Sequence, residues 1–273
     1  MTTRLKLGSW ATYGFLAGYA LFVVGPFVWM IASSFKDRRS IFTQPFSLPS
    51  TLETDNYARA WEHGIGRYLV NSLMITATTV LLVLLVSSLA AYALARLRFP
   101  GRTLLYALIV AGYAVPIHTV LVPLYRLLDS AGALNSYAGL ILPYVAFGIP
   151  FSIVLLYAFF LEFPTELEEA ARLDGCKTWS LLWYVVLPLS LPAFASVAIF
   201  QGVFIWNEFI LALLVISDES KKTLPLGLVA FRGEYANDWG AMMAAITIAT
   251  APLLLLYIVL QRHFIRSLAG IGK

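Results

Sequence analysis

Charge is what this sequence has least of. Asp, Glu, Lys and Arg make up 12% of it and hydrophobic residues 60%, too apolar for a soluble domain of 273 residues. A single cysteine, Cys176, excludes an internal disulfide, and it reads as a small buried filler rather than a reactive thiol. The three histidines, His63, His118 and His263, lie in separate segments and make no metal-ligand cluster. No Gly-x-x-x-x-Gly-Lys-Ser/Thr loop is present to cradle nucleotide phosphates. Neither His-Glu-x-x-His nor Gly-x-Ser-x-Gly occurs, so an intramembrane enzyme has no candidate nucleophile or metal site. Internal repeats, low-complexity stretches and any pointer to nucleic acid are missing as well.

What is present is a set of long uncharged runs. They lie between Lys6 and Lys36, Arg67 and Arg96, Arg102 and Arg126, Asp129 and Glu162, Lys177 and Glu208, and Asp238 and Arg262. Each exceeds the roughly 20 residues that cross the hydrocarbon as a helix. The runs are continuous rather than alternating, which excludes a β-barrel. The expectation is an all-α membrane protein with six transmembrane helices. The first run, Ala11 to Ile31, is too long for a signal h-region and lacks a small-residue cleavage site, so it reads as a retained span. Trp10 and Trp29 sit near its ends, where interfacial aromatics belong.

Six spans put both termini on one side. The 19 Lys and Arg residues then divide ten to nine between the sides, and Lys36, Arg38 and Arg39 argue against the majority. The turn from Arg96 to Arg102 and the C-terminal tail are short and dense in positive charge, which favours cytoplasmic termini.

Between spans, residues 33–67 form an outer loop whose Pro45, Pro49, Asn56, Tyr57 and Trp61 suggest a turn-rich piece with one short helix near Asn56–Trp61. A plain connector is the alternative. The third run carries Pro116 and Pro123, and the fourth Pro143 and Pro150; prolines inside membrane helices kink them where a neighbour satisfies the freed carbonyl. His118 reads as a structural group near a kink before a functional one. In the fifth run Gln201 and Glu208 share a helix face with Phe204 and Ile205. A carboxylate at mid-membrane costs roughly 2.5–3.5 kcal/mol, so Glu208 should face protein or water. Two readings stand level: a polar, aromatic stripe lining a solute path, or Glu208 at the outer interface. The loop 217–238 carries charge and aromatics, with Phe231, Arg232, Glu234 and Tyr235 as candidates for docking an external partner. Ala241, Ala244 and Ala245 open the sixth run to close helix approach.

The longest polar interruption, Glu162 to Pro192, organises the rest. Pro164 and Thr165 open a short helix, and Thr165 with Glu168 has the spacing of a capping box. Glu166, Glu168 and Glu169 occupy the first turns, where the helix dipole favours them. Ala170 and Ala171 keep the helix slim. Gly175 suits a left-handed terminator, Thr178 a cap for a second short helix, and Pro188 and Pro192 the points where regular geometry breaks. By themselves these residues also describe an ordinary solvated loop helix.

The spacing resembles a known signature. Glu169-Ala170-Ala171, three residues, Gly175, nine residues and Val185-x-Leu187-Pro188 is similar to the EAA loop of permease subunits of bacterial binding-protein-dependent ABC importers; the family pattern usually has Ile in place of Val185. Pro164 to Glu168, Trp206-Asn207-Glu208-Phe209, Thr223 to Leu228 and Gln261 to Phe264 resemble the carbohydrate, maltose-type group. The resemblance runs from about Tyr68 onward. It implies a type I importer permease fold in the bacterial cytoplasmic membrane, moving a sugar or polyol. It divides the chain into a first helix and outer loop (1–67), a permease domain (68–262) with a cytoplasmic coupling loop (162–183), and a cytoplasmic tail (263–273). Implied partners are a second permease, a dimer of ATP-binding subunits and an external solute-binding protein. ATP and Mg are expected in the ATPase partner and no cofactor in this chain. In that frame Ala170, Ala171 and Leu173 form the docking face, Glu169 a polar contact to the ATPase, and Gly175 the turn. The runner-up is a secondary transporter or channel working without an ATPase.

Overall fold

The computed structural model describes the backbone of residues 3–234 and 238–270, and the side chains of residues 10, 12–229, 238–259 and 261. Every regular element among the described residues is a helix, and none is a strand. Two compact units form, one from residues 1–66 and 227–252 and one from 67–226 and 253–273.

In the first unit α1 (Thr3–Ser33) leads into a folded segment rather than a connector. A short helix α2 (Arg38–Thr43), unforeseen in the sequence, is capped by the Asp37 carboxylate, which accepts from the amides of Arg39 and Ser40. The expected helix is α3 (Asp55–Glu62). Trp29 Nε1 donates to the carbonyl of Pro45 at 2.7 Å. Lys36, 2% exposed, spends its ammonium on the carbonyls of Gln44 (3.0 Å) and Pro45 (3.1 Å). Its charge is therefore used internally.

Asn56 is the hub of this unit. Its amide donates to the carbonyls of Ser34 and Lys36, and its oxygen accepts from Arg59. Arg59 Nε in turn donates to Asp238 at 2.8 Å, and Asp238 caps the long helix α14 (Trp239–Gly270) by accepting from the Ala241 amide. A Cβ on Gly240 would lie 2.2 Å from the Asn56 side-chain oxygen, so this junction admits glycine alone.

The second unit contains α4 (Ile65–Arg96) from Arg67 on, α5 (Arg102–Tyr113), α6 (Leu121–Ser130), α7 (Ala138–Glu162), α8 (Thr165–Leu173), α9 (Thr178–Leu181), α10 (Leu187–Leu189), α11 (Leu191–Asn207) and α12 (Ile210–Val215). The start of α13 (Leu224–Glu234) also belongs to it. One core cluster joins Val83, Tyr92, Leu94, Ile153, Leu156, Phe160, Leu181, Val186 and Val197. A second joins Ile75, Leu140, Tyr144, Ile205, Leu211 and Val215.

Four helices among the described residues are long and apolar enough to cross a membrane singly. The other two expected spans are broken pairs. α5 meets Ile117–Ser130 at 87°, and Thr178–Leu189 meets α11 at 71°. The sequence suggested kinks; the structure shows full breaks. Proline is the cause at the first. Pro116 adopts an extended conformation, and its carbonyl takes both the amide and the hydroxyl of Thr119 to start a 3-10 turn. Thr119, not His118, satisfies that carbonyl. At the second break a π-helical turn, Leu182–Val186, precedes Pro188, and the Ser190 hydroxyl donates to the carbonyl of Val186 at 2.6 Å. α7 runs unbroken past Pro143 and Pro150.

Candidate functional site

The loop helix α8 is attached to the bundle by its acidic side. The expected capping box does not form: Thr165 is already helical, Pro164 is the cap residue, and no side-chain cap bond is made. Glu168 instead turns inward and accepts from Arg96 Nε at 2.6 Å. A buried cation outcompetes a backbone amide that water can reach. Thr178 likewise opens α9 without a side-chain cap, the cap position falling to Lys177.

The end of α8 is a Schellman motif. Gly175 has φ +87°, its amide donates to the Arg172 carbonyl, and the Cys176 amide donates to the Ala171 carbonyl. The turn sends the chain back so that Ala171 and Cys176 rest on the core cluster. Glu169 and Ala170 stay exposed, and Leu173 projects at 90% exposure. Trp179 and Tyr184, on the return segment, are exposed as well. Of the five residues singled out in this loop, Glu169, Ala170 and Leu173 thus face outward, Ala171 faces the bundle, and Gly175 makes the turn.

Within the membrane part, Gln201 and Phe204 line a cavity of about 330 Å³ with Gly112, Tyr113, Phe147, Phe151 and Phe200. Phe151 bridges the rings of Tyr113 and Phe200, at centroid distances of 5.8 and 5.6 Å. Gln201 is buried, and its amide donates to the Gly148 carbonyl (3.1 Å) and the Ser152 hydroxyl (3.2 Å). A Cβ on Gly148 would stand 2.9 Å from both the Gln201 oxygen and Val83, so glycine is what allows the two helices this approach.

The rest of the expected stripe goes elsewhere. Ile205 is buried in the second core cluster. Glu208 lies just past the end of α11, where the chain turns extended, and its carboxylate accepts from the amides of Leu211 (2.8 Å) and Ala212 (3.2 Å). It also accepts the Tyr144 hydroxyl at 2.5 Å. Glu208 therefore anchors the first turn of α12, where unpaired amides and the helix dipole hold a negative charge. Sequence reasoning missed Tyr144 and Arg96. Tyr144 offered only one hydroxyl in an apolar run, and Arg96 was noticed only as a charge at a span end.

Beyond α12, Asn135 adopts φ +52° and accepts the amides of Ser217 and Asp218. Asn71 donates to the carbonyls of Ser220 and Lys222, and Glu219 pairs with Tyr68 and Lys222. The amide and hydroxyl of Ser220 hold the Asp218 carboxyl below its usual range. Phe231, Arg232 and Glu234 fall on α13, with their side chains outside the described residues; Tyr235 lies outside them altogether.

Residues 83–270 match the family of inner membrane components of binding-protein-dependent transport systems. The chain belongs to this family. The permease is 38% identical over 264 residues to the probable ABC transporter permease protein YurM of Bacillus subtilis, covering 97% of this chain and 88% of that one. It is 39% identical over 261 residues to the diacetylchitobiose uptake system permease protein NgcG of Streptomyces coelicolor, covering 94% and 86%. A crystal structure of a bacterial ABC transporter that imports alginate contains a chain of the same fold, with TM-score 0.83, 22% identity and coverage of 97% and 99%. As a permease subunit the chain is a multi-pass inner membrane protein without catalytic activity of its own, and ATP hydrolysis belongs to a separate subunit.

Proposed function

We propose that this permease carries a sugar or related polyol, handed over by an external binding protein, through a pathway shared with a second permease chain. α8 docks on an ATP-binding subunit, two of which bind ATP and Mg and drive the cycle. The loop and both termini lie in the cytoplasm. The observation that carries this reading is α8 itself. It is a short helix with Glu169, Ala170 and Leu173 turned outward, fixed to the bundle by a buried ion pair and a Schellman turn. An apolar knob 90% exposed beside a carboxylate is what a groove on a partner would receive. Closure of the ATPase dimer then moves the helix and biases the spans between two access states.

The sugar assignment rests on the cavity. Its five aromatic rings suit the apolar faces of a sugar ring, and Gln201, bonded to Gly148 and Ser152, fixes the wall that carries them. The volume is at the small end of the range for small-molecule sites, about 300–1,000 Å³. A relative named for diacetylchitobiose uptake points the same way. The test is a mild-detergent pull-down of the tagged chain from its native membrane, with partners identified by mass spectrometry. Recovery of an ATP-binding subunit and a second permease, lost on substituting Glu169, Ala170 and Leu173 together, is the expected result. Recovery of the chain alone or as a homo-oligomer would move the assignment to a transporter working without ATP.

A further inference from the structure

Arg96 closes α4, and its one guanidinium holds three elements together. Nε donates to Glu168 on α8 at 2.6 Å, and Nη2 donates to the carbonyl of Phe163, the residue that ends α7, at 2.7 Å. The two side chains are 13% and 7% exposed. Glu166 and Glu169, on the same short helix, are exposed, so Glu168 is the carboxylate of this helix that has been taken out of water. Beside the pair lies the buried hydroxyl of Tyr92, one turn earlier on α4, with Arg172 of α8 also close to it.

These features are unusual for a loop helix that merely needs attaching. Apolar contact through Ala171 and Cys176 already attaches it. A desolvated ion pair adds little net stability, but separating its members leaves an uncompensated buried charge. Separating the pair is therefore costly. The planar fork of arginine fixes direction as well as distance, which a lysine would not. A displacement of α8 must carry the end of α4 with it or expose both charges.

We propose that the Arg96–Glu168 pair is the joint through which movement of α8 passes to α4 and to the end of α7. The proposal rests on the docking role given to α8 above. Neither residue touches solute or nucleotide; both are positioning residues.

Hydrogen exchange in the assembled transporter, with and without Mg-ATP and vanadate, tests it. In the wild type, trapping alters exchange both in α8 and at residues 89–96. In E168Q and R96Q the α8 response persists, while the response at 89–96 falls roughly threefold or more, the scale of coupling that such networks carry. The swapped double variant R96E/E168R keeps a charge pair between α4 and α8 but gives up the bond to the Phe163 carbonyl, so it restores the response at 89–96 in part. A response at 89–96 of wild-type size in E168Q overturns the joint and leaves the docking role standing. No response of α8 in the wild type sinks the docking role and the joint together. If the single variants do not assemble, the swap decides alone: a response at 89–96 above about one third of the wild-type size supports the joint, and its loss with α8 still responding overturns it.

Discussion

Gly175 is held in a conformation that side-chain-bearing residues resist. Its φ of +87° lies where L side chains are strained, and a Cβ there would meet nothing within 4 Å, so backbone conformation alone sets the cost. Gly175→Val should cost about 1–3 kcal/mol locally and shift the exposed Leu173 relative to the core. The expected outcome is ATP hydrolysis that continues without uptake; measuring both in proteoliposomes checks it, and a fully coupled variant defeats it. Gly148 is constrained differently, by contact rather than by φ. Gly148→Ala should displace the Gln201 amide and lower uptake while leaving the ATPase subunit bound. If uptake in the alanine variant equals wild type, Gln201 has no part in the path. Glu208 stands on a third footing, since its partners are two amides and a tyrosine. Glu208→Gln keeps the shape but removes the charge, weakening three bonds worth about 1.5–3 kcal/mol each when charge-assisted. A lower melting temperature in detergent is expected; an unchanged one would return Glu208 to the solute path as its reason for being there.

At the scale of elements, the start of α14 depends on one carboxylate. Burial pushes Asp238 up, but the hydrogen bond from Arg59 and the amide of Ala241 outweigh it and hold the carboxyl below its usual range. A depressed carboxyl contributes stability that is present above the unfolded value, about 3.9, and is lost as pH falls through the lower folded value. Arg59 is half exposed, so the pair is worth about 1 kcal/mol at most after solvent screening. Amide exchange at Ala241 and Met242 should therefore quicken as pH drops below about 4, after correction for intrinsic rates. Asp238→Asn should remove that pH dependence. His63 Nε2 lies 3.8 Å from the same carboxylate. The broken spans belong to this scale too. Each break combines prolines with a hydroxyl that takes up a carbonyl, Thr119 at the first and Ser190 at the second.

For the molecule as a whole, the surface of α8 and the aromatic cavity are set at different places in one unit and connected through helices rather than through a shared pocket. On the proposed reading that separation suits a transporter whose energy source is another subunit: a solute path lined by rings needs different surroundings from a helix that docks on a partner. Uptake by the complete transporter should accordingly require ATP, the binding protein and an intact α8. Removing the exposed Leu173 side chain in Leu173→Ala should weaken ATPase binding by about 1–2 kcal/mol, roughly tenfold in affinity. Titration of the purified ATP-binding subunit against the permease complex in nanodiscs reads this directly, and unchanged affinity would remove Leu173 from the docking face.

Composition and periodicity by themselves determined the class of this protein. Apolar runs long enough to cross a bilayer have no other stable home, so the helical membrane architecture followed from the sequence, and the spacing from Glu169 to Pro188 carried the family. Gly175 was legible too, because only a glycine terminates a helix in that way without strain. The partners of polar groups were decided by tertiary structure. Glu168 had a local partner available at capping-box spacing, yet it pairs with Arg96, 72 residues away. Glu208 shared a helix face with Gln201 on paper, but the helix stops at Asn207 and the carboxylate serves the next one. Lys36 counted as a surface charge and is buried on two carbonyls. In each case a buried polar group takes the partner that most completely replaces water. That partner is set by which helices lie side by side, a long-range fact that local spacing does not contain.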